Sequence, residues 1–201
     1  CVMFSYAKLA RNTINDKSYI PYFKKYALNS KILQVRRRAK HILIDLENGF
    51  TVLLHMKMTG HIMYGTYKEN KKSNGREWAW LPIDNNKALH DPYNRHIRVV
   101  FTLSNGKHLV FCDSRKFGTI VVEKTETLHT ERLAHLGPEP LEKDFTLSKF
   151  KERVMKSPTR AIKTVLMDQS IISGIGNIYS DEMLHLAHIL PTRTPKKVRD
   201  A

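Results

Sequence analysis

The chain has 201 residues, 41% of them hydrophobic, which is enough for one large or two small domains with their own cores. Its 34 Lys and Arg outnumber 19 Asp and Glu, giving a formal net charge of +15. A positive excess of this size attracts polyanions and favours a nucleic acid as partner, with a ribosomal protein or a generally basic surface as alternatives.

Membrane spans and a disulfide framework are both excluded by the sequence pattern. Apolar runs stop well short of the ~20 residues that cross a bilayer, and no apolar signal core follows a basic start. Cys1 and Cys112 form neither a disulfide framework nor a zinc knuckle. We therefore expect a soluble protein of a reducing intracellular compartment, the cytoplasm or nucleoid.

Between residues 31 and 124 the sequence has the pattern of short strands broken by turns. Asn48-Gly49 and Asn105-Gly106 each separate two apolar runs, which is a strong hairpin signal. We predict an antiparallel β-sandwich domain over residues 1–125. In HILIDL the face expected to be apolar consists of Ile42, Ile44 and Leu46, with Leu43 on the other face beside His41 and Asp45.

The stretch from Tyr64 to Asn94 is rich in Lys, Asn, Gly and Pro and has no clear period. We interpret it as a long, mobile loop that carries Trp78 and Trp80, with room for a short strand around them.

After about Glu123 the apolar spacing becomes helical, which predicts an all-α domain over residues 126–201. Thr146 or Ser148 can begin a helix that Pro158 ends. Two further helices follow, joined by a glycine turn as in an αα-hairpin. Their predicted apolar faces are Ile162, Val165 and Leu166 in the first helix and Ile178, Met183, Leu184 and Ala187 in the second.

The first segment with possible chemistry is Arg36-Arg37-Arg38-Ala39-Lys40, at the entrance of a strand. Strand alternation would point Arg38 and Lys40 to one face and Arg37 to the other. The alternative is a solvated basic patch that only attracts phosphates.

Two turn segments, His55–Gly60 and Asp113–Gly118, carry side chains suited to a disrupted base pair. A methionine of the first segment, if exposed, could fill the hole left by a flipped base, although a methionine near a strand end is more often part of the core. In the second segment a charged pair beside an aromatic residue and a glycine is typical of a loop tip that could wedge into the helix and hydrogen-bond the orphaned base. A plain turn with a buried phenylalanine is the alternative.

The segment Gly174–Tyr179 could bind a phosphate. Glycines allow close backbone approach, and the free N–H groups at the start of the next helix attract anions. An ordinary connection between two helices is the alternative.

Taken together, six segments stand in the order typical of one enzyme family: RRAK, HMKMTG, DSRKFG, HLGPEPL, AIKTVLMDQ and GIGNIYSDE. The chain resembles the formamidopyrimidine-DNA glycosylase and endonuclease VIII family over nearly its whole length. The resemblance is weakest in the first thirty-odd residues and between Tyr64 and Asn94.

The resemblance implies an α+β protein, with a β-sandwich domain followed by a helix-two-turn-helix domain and duplex DNA bound in the cleft between them. It implies a bifunctional DNA glycosylase and AP lyase of base-excision repair, acting as a monomer. The expected substrates are oxidised purines, 8-oxoguanine and formamidopyrimidines, removed by base flipping and Schiff-base chemistry. The residues Met58, Arg115 and Phe117 favour the formamidopyrimidine branch over endonuclease VIII.

The same resemblance assigns roles to individual residues. Lys40 matches the catalytic lysine, which assists at the lesion and in strand cleavage. Met58, Arg115 and Phe117 match the residues that fill the void and face the widowed base. DNA-contacting positions are His96, Lys163 and Asn177, with His55 added from its segment and Arg160 and Lys156 at positions where the local spacing departs from the family.

Both ends depart from the family pattern. Family members begin with Pro-Glu, whose proline amine is the Schiff-base nucleophile, whereas this sequence begins Cys1-Val2-Met3. A four-cysteine zinc finger is expected beyond Ala201, so no metal ligand is expected among these residues. We interpret the sequence as an internal fragment that binds DNA but lacks the nucleophile. A catalytically silent DNA-binding module and an RNA-binding protein are the alternatives.

Overall fold

A computed structural model describes residues 3–9, 19–70 and 80–198. The protein is mixed α/β with antiparallel sheets and divides into two compact units. Cys1–Arg37 and His41–Leu128 form the first unit, and Arg38–Lys40 and His129–Ala201 form the second. This division differs from the single boundary expected at residue 125, because the short segment Arg38–Lys40 groups with the second unit.

Among the described residues, ten strands lie wholly or almost wholly in the first unit, and most of them belong to two four-stranded sheets. They are β1 (Phe4–Leu9), β2 (Ile32–Arg38), β3 (His41–Leu46), β4 (Phe50–His55), β5 (His61–Gly65), β6 (Tyr67–Glu69), β7 (Trp80–Pro82), β8 (Ile97–Leu103), β9 (His108–Cys112) and β10 (Thr119–Lys124). One sheet has the order β1-β8-β9-β5 and the other the order β10-β4-β3-β2. The unit also holds α1 (Tyr19–Ala27) and the single turn α2 (Thr125–Thr127).

Both predicted Asn-Gly hairpins are present, joining β3 to β4 and β8 to β9. Gly49 and Gly106 have φ angles of +79° and +78°, in the left-handed region that glycine enters without a steric penalty. The connection from β3 to β4 is three residues long and ends on Gly49, whereas the connection from β8 to β9 is four residues long, with Gly106 in its third position. Short glycine-containing connections of this kind are common in hairpins.

The two large sheets share one apolar core with α1. As predicted, Ile44 and Leu46 are buried in it and Ile42 packs against it, and burying each such side chain stabilises the fold by ~1.5–3 kcal/mol. Leu43, predicted on the polar face, is buried too. The fully and nearly buried members of the core are Phe4, Phe23, Ala27, Ile44, Leu46, Val52, Leu54, Val99, Phe101, Leu103, Phe111 and Val122.

The described part of residues 64–94 is more ordered than the predicted long loop, although the short strand predicted around the tryptophans is present at Trp80. Strands β6 and β7 pair antiparallel, and two 3-10 turns, Lys87–His90 and Pro92–Arg95, follow them. Trp80 lies in β7 and packs against a second small core that includes Tyr67 and Leu89, whereas Trp78 lies outside the described residues. Long-range burial decides the structure here, and local periodicity does not reveal it.

Three helices of the second unit are α3 (Leu147–Val154), α4 (Ile162–Met167) and α5 (Asn177–Leu186). The hydroxyl of Thr146 accepts a hydrogen bond from the Lys149 amide and caps α3, which ends before Pro158. The predicted apolar face of α4 is confirmed, since Ile162, Val165 and Leu166 are all buried. The core of this unit comprises Val154, Ile162, Val165, Leu166, Ile171, Ile172, Ile175 and Leu184.

The predicted apolar face of α5 is wrong. Of its four predicted members only Leu184 is buried, whereas Ile178 is 77% exposed and Met183 and Ala187 also face solvent. The buried side of α5 is defined by Ser180 and Leu184, four residues apart and therefore on one face. No helix in the described ranges is long and apolar enough to cross a membrane.

Candidate nucleic-acid interface

Strand pairing in the first unit places two connecting loops side by side. Residues 56–60 join β4 to β5, and residues 113–118 join β9 to β10. His55 pairs with Thr119 at one end, and His61 pairs with Cys112 at the other. Because both loops cross between the same two sheets at paired strand ends, they run next to each other. We call them the paired loops.

The three side chains predicted to fill the void of a flipped base meet on the paired loops. Met58 is 71% exposed and Phe117 is 51% exposed. The Arg115 Nη1 lies 3.3 Å from the Met58 Sδ, and its guanidinium carbon lies 4.8 Å from the centre of the Phe117 ring. The alternatives of a core methionine and a buried phenylalanine are therefore wrong. The result is an exposed cluster of one thioether, one guanidinium and one aromatic ring.

A buried carboxylate, Asp113, lies beneath this cluster. It accepts hydrogen bonds from the Thr59 hydroxyl, from the Arg115 amide at 3.1 Å and from the Gly118 amide at 2.7 Å. Burial alone would raise the pKa of Asp113, but these hydrogen bonds outweigh it and hold the pKa below its ordinary value. In the sequence, Asp113 stands out only as the first residue of its turn, and no local pattern indicates its burial.

His55 and His96 lie in the first unit, each with a defined ring partner. The His55 Nδ1 accepts a hydrogen bond from the Lys57 amide at 2.9 Å, and its ring packs edge-on against His41 with centroids 4.6 Å apart. The His96 Nε2 accepts from the Arg95 Nε at 3.3 Å. Burial, followed by the charges of Arg95 and Arg98, lowers the pKa of His96. Both effects favour the neutral form of the His96 ring.

Lys40 does not continue the strand alternation that the sequence suggested. β2 ends at Arg38, and Ala39 turns the chain with a φ angle of 52°, in the left-handed region. Within the second unit the Lys40 Nζ donates a hydrogen bond to the Ile175 carbonyl at 2.7 Å. A Cβ atom at Gly176 would come within 3.3 Å of the same nitrogen. The predicted catalytic lysine and the glycine turn before α5 thus form one site.

An ion pair between the half-buried Arg38 and the buried Glu139 holds the turn at Ala39 in place. The Arg38 guanidinium donates to Glu139 at 3.1 Å, to the Ser173 hydroxyl at 2.8 Å and to the Gly137 carbonyl at 2.8 Å. The Ala39 amide donates to the same Glu139 oxygen at 2.6 Å. Glu139 lies in the HLGPEPL segment, which sequence reasoning used only as part of the family resemblance. Its burial beside a charged partner was not visible in the sequence.

The predicted phosphate-binding cations of the helical unit lie in ion pairs. Lys163 lies 2.8 Å from Asp181, and Arg160 lies 2.8 Å from Asp168. The hydrogen bond from Arg160, followed by that from Ser170, lowers the pKa of Asp168. A phosphate would have to compete with these carboxylates. Asn177 is the exposed first residue of α5, and Lys156 is exposed after α3.

No group of three His, Cys, Asp or Glu side chains suited to a metal ion is present in the part of the chain that the structure describes.

Two family models match the chain. The formamidopyrimidine-DNA glycosylase N-terminal domain matches residues 4–120, and the formamidopyrimidine-DNA glycosylase H2TH domain matches residues 136–201. The first match alone covers more than half of the chain. The chain therefore belongs to the formamidopyrimidine-DNA glycosylase family.

Individual relatives agree with this assignment. The formamidopyrimidine-DNA glycosylase of Pelotomaculum thermopropionicum is 38% identical over 182 residues, which cover 88% of this chain and 58% of that protein. The enzyme of that name from Herpetosiphon aurantiacus is 39% identical over 82% of this chain and 51% of its own length. The chain thus spans little more than half the length of these curated relatives.

The fold is similar to that of the Lactococcus lactis Fpg solved in complex with DNA containing an abasic site. The TM-score is 0.77 at 25% identity, covering 98% of this chain and 64% of that one. A second solved complex of the L. lactis protein, bound non-covalently to such DNA, has a TM-score of 0.76 at 25% identity. That alignment covers 98% of this chain and 66% of the L. lactis chain.

Proposed function

We propose that this chain is part of a base-excision repair glycosylase that acts on oxidised purines in duplex DNA and also cleaves abasic sites. The proposal rests on one observation. On the paired loops, the exposed Arg115 side chain contacts those of Met58 and Phe117, which are exposed as well. A flexible thioether and an aromatic ring can occupy a vacated place in the base stack, and a guanidinium can hydrogen-bond the unpaired base.

Lys40 is proposed as the catalytic amine of the second unit. Its Nζ is held by the Ile175 carbonyl, so the ammonium has a defined position beside the glycine turn. There it can stabilise negative charge near the sugar and take part in strand cleavage after base loss. The family resemblance assigns the Schiff-base nucleophile to an N-terminal proline amine and not to Lys40.

The proposed partner is double-stranded DNA, bound mainly through its phosphates. The net charge of +15 supports this, as do the cations and polar groups named above. The L. lactis Fpg, similar in fold, was solved with DNA that contained an abasic site. The proposed contacts are His55, His96, Lys156, Arg160, Lys163 and Asn177.

We further propose that α4, the glycine turn and α5 belong to a helix-two-turn-helix domain, and that zinc is bound in a finger beyond Ala201. The H2TH match over residues 136–201 supports the first part. Activity on DNA as a monomer in the cytoplasm or nucleoid follows from the same proposal.

Binding of the 201-residue chain to three duplexes tests the proposal: undamaged, 8-oxoguanine-containing and carrying a tetrahydrofuran abasic analogue. We expect tighter binding to the analogue, and loss of that preference in the Met58→Ala, Arg115→Ala and Phe117→Ala variants. Leu33→Ala, a change at an exposed apolar residue of β2, is the control and should keep the preference. Equal affinity of the wild-type chain for all three duplexes would overturn the proposal.

Chemistry is tested separately by borohydride trapping. The 201-residue chain should give little or no covalent capture on 8-oxoguanine DNA and at most weak cleavage at pre-formed abasic sites, because reaction needs the amine within about 3–3.5 Å of the sugar carbon. Efficient capture on 8-oxoguanine DNA would show that the proline amine is dispensable. Absence of excision by the complete protein would instead support a silent DNA-binding module.

A further inference from the structure

We propose that Asp113 is a positioning residue that couples the paired loops, so that Met58, Arg115 and Phe117 act as one unit on damaged DNA. The inference rests on the proposed function and names a residue that does not itself touch DNA. Asp113 is fully buried, whereas the side chains that it would position are exposed.

The carboxylate of Asp113 joins one loop to the other through its two oxygens. Oδ1 accepts from the Thr59 hydroxyl of the first loop and from the Arg115 amide of the second, and Oδ2 accepts from the Gly118 amide. The Thr59 Oγ1 also accepts from the Arg115 amide at 3.3 Å. Met58 directly precedes Thr59, and Arg115 itself carries one of the amides that Asp113 binds. Their exposed side chains therefore depend on one buried acceptor.

The second loop is folded around this carboxylate. Lys116 has a φ angle of 61°, and its amide is a further hydrogen-bond donor to Asp113. The left-handed region is unfavourable for a residue that has a Cβ atom, so this conformation needs a compensating contact. Four donors converging on two oxygens require an ionised acceptor, because an asparagine in the same place would turn an N–H group toward one of them.

The base of the loop is held independently of the carboxylate. The Arg98 guanidinium donates to the main-chain carbonyls of Asp113 at 2.7 Å and Ser114 at 3.3 Å. A side chain at Gly118 would collide with the ring of Phe111, which is part of the core. Loss of the Asp113 carboxylate should therefore release the loop tips without removing the strands that carry them.

The experiment compares Asp113→Asn with Asp45→Asn in the 201-residue chain. Asp45 is a matched control, since it too is a buried aspartate of the first unit that accepts several hydrogen bonds, from Arg36, Gln34 and Thr51. Affinity for the tetrahydrofuran duplex and for undamaged duplex is measured by fluorescence anisotropy. A 2-aminopurine opposite the tetrahydrofuran reports on the widowed base.

We expect Asp113→Asn to weaken binding to the tetrahydrofuran duplex about tenfold and to leave binding to undamaged duplex within about twofold, because phosphate contacts are not altered. The change in 2-aminopurine fluorescence that saturating protein causes should also be smaller for Asp113→Asn than for the wild-type chain. Asp45→Asn should change the melting temperature while leaving both the preference and the signal unchanged. A purely structural role for Asp113 would not produce this difference.

Thr59→Val and Thr59→Ser keep the test decisive if Asp113→Asn does not fold. Valine removes the hydroxyl that bridges the loops, and serine restores it. Valine should therefore lower the preference for the tetrahydrofuran duplex, and serine should retain it within about twofold. If the wild-type chain shows a preference that Asp113→Asn and Thr59→Val both retain, the positioning role is wrong. If the wild-type chain shows no preference, the proposed function itself fails.

Discussion

The Nζ of Lys163 on α4 lies 2.8 Å from a carboxylate oxygen of Asp181 on α5. A DNA phosphate that binds Lys163 must displace this carboxylate. We therefore expect Asp181→Asn to raise the affinity for undamaged duplex by about two- to fivefold, the amount that a partly exposed ion pair contributes. Anisotropy titrations at about 0.1 M salt measure the change.

Glu182→Gln is the matched control for this prediction, since it removes one negative charge from the neighbouring exposed position of the same helix. An equal gain in both variants would show that only net charge matters. Lys163→Ala should lower affinity for all duplexes similarly, and it should reduce the slope of log affinity against log salt by about 0.9.

The Arg38–Glu139 ion pair predicts a large loss of stability when one partner is removed. Arg38→Gln should lower the free energy of unfolding by about 3 kcal/mol, because it leaves the buried Glu139 carboxylate without its charged partner. Urea denaturation measures the loss. Arg37→Gln makes the same charge change at an exposed neighbour and should cost less than about 1 kcal/mol, which is the range for exposed ion pairs. If both variants lost a similar amount of unfolding free energy, the Arg38–Glu139 ion pair would not be the stabilising contact.

Acid should destabilise the first unit through Asp45. Burial alone would raise the pKa of this carboxyl, but hydrogen bonds from Arg36, Thr51 and Gln34 outweigh it and keep the pKa below the ordinary value of 3.8. A carboxyl with a lowered folded pKa contributes its full stability above pH 3.8 and loses it as the pH falls through the folded pKa. The free energy of unfolding should therefore decrease as the pH is lowered below about 4. In the Asp45→Asn variant it should decrease less steeply with pH. Identical slopes for the two proteins would show that Asp45 is not the group responsible.

Cys112 should be unreactive in the folded protein. Burial raises the pKa of its thiol to about 12, and its Sγ donates a hydrogen bond to the Asn94 carbonyl at 3.2 Å. Thiolate is the reactive form, so little reaction is expected at neutral pH. In a Cys1→Ser variant, a thiol reagent should modify Cys112 only after urea unfolds the chain. Rapid modification under native conditions would show that this part of the sheet opens readily.

Local signals predicted much of the fold. The two Asn-Gly hairpins, the capping Thr146 and the buried face of α4 all follow from short-range pattern and turn chemistry. The face of α5 was predicted wrongly because an apolar residue such as Ile178 can be exposed at a surface with a role other than core packing. Such exposure depends on tertiary context, which single-sequence periodicity does not contain.

The sequence was enough to predict which side chains belong to the candidate site, but it did not predict the contacts that hold them in place. Met58, Arg115 and Phe117 were identified from the resemblance, whereas the buried carboxylates of Asp113 and Glu139 were not. Each of these acids has a partner distant in sequence: Asp113 binds Thr59 across 54 positions, and Glu139 binds Arg38 across 101 positions. A pairing of that kind leaves no local period, so only the folded chain reveals it.

The membership of Arg38–Lys40 in the second unit has a consequence for how such proteins can be recombined. The chain leaves the first unit after Arg37 and returns to it at His41. An exchange of helical modules between relatives at a single crossover near residue 128 would replace Glu139 and the glycine turn while retaining the old Arg38 and Lys40. The inherited module is therefore made of two separate stretches of gene, and a functional hybrid needs both from the same parent.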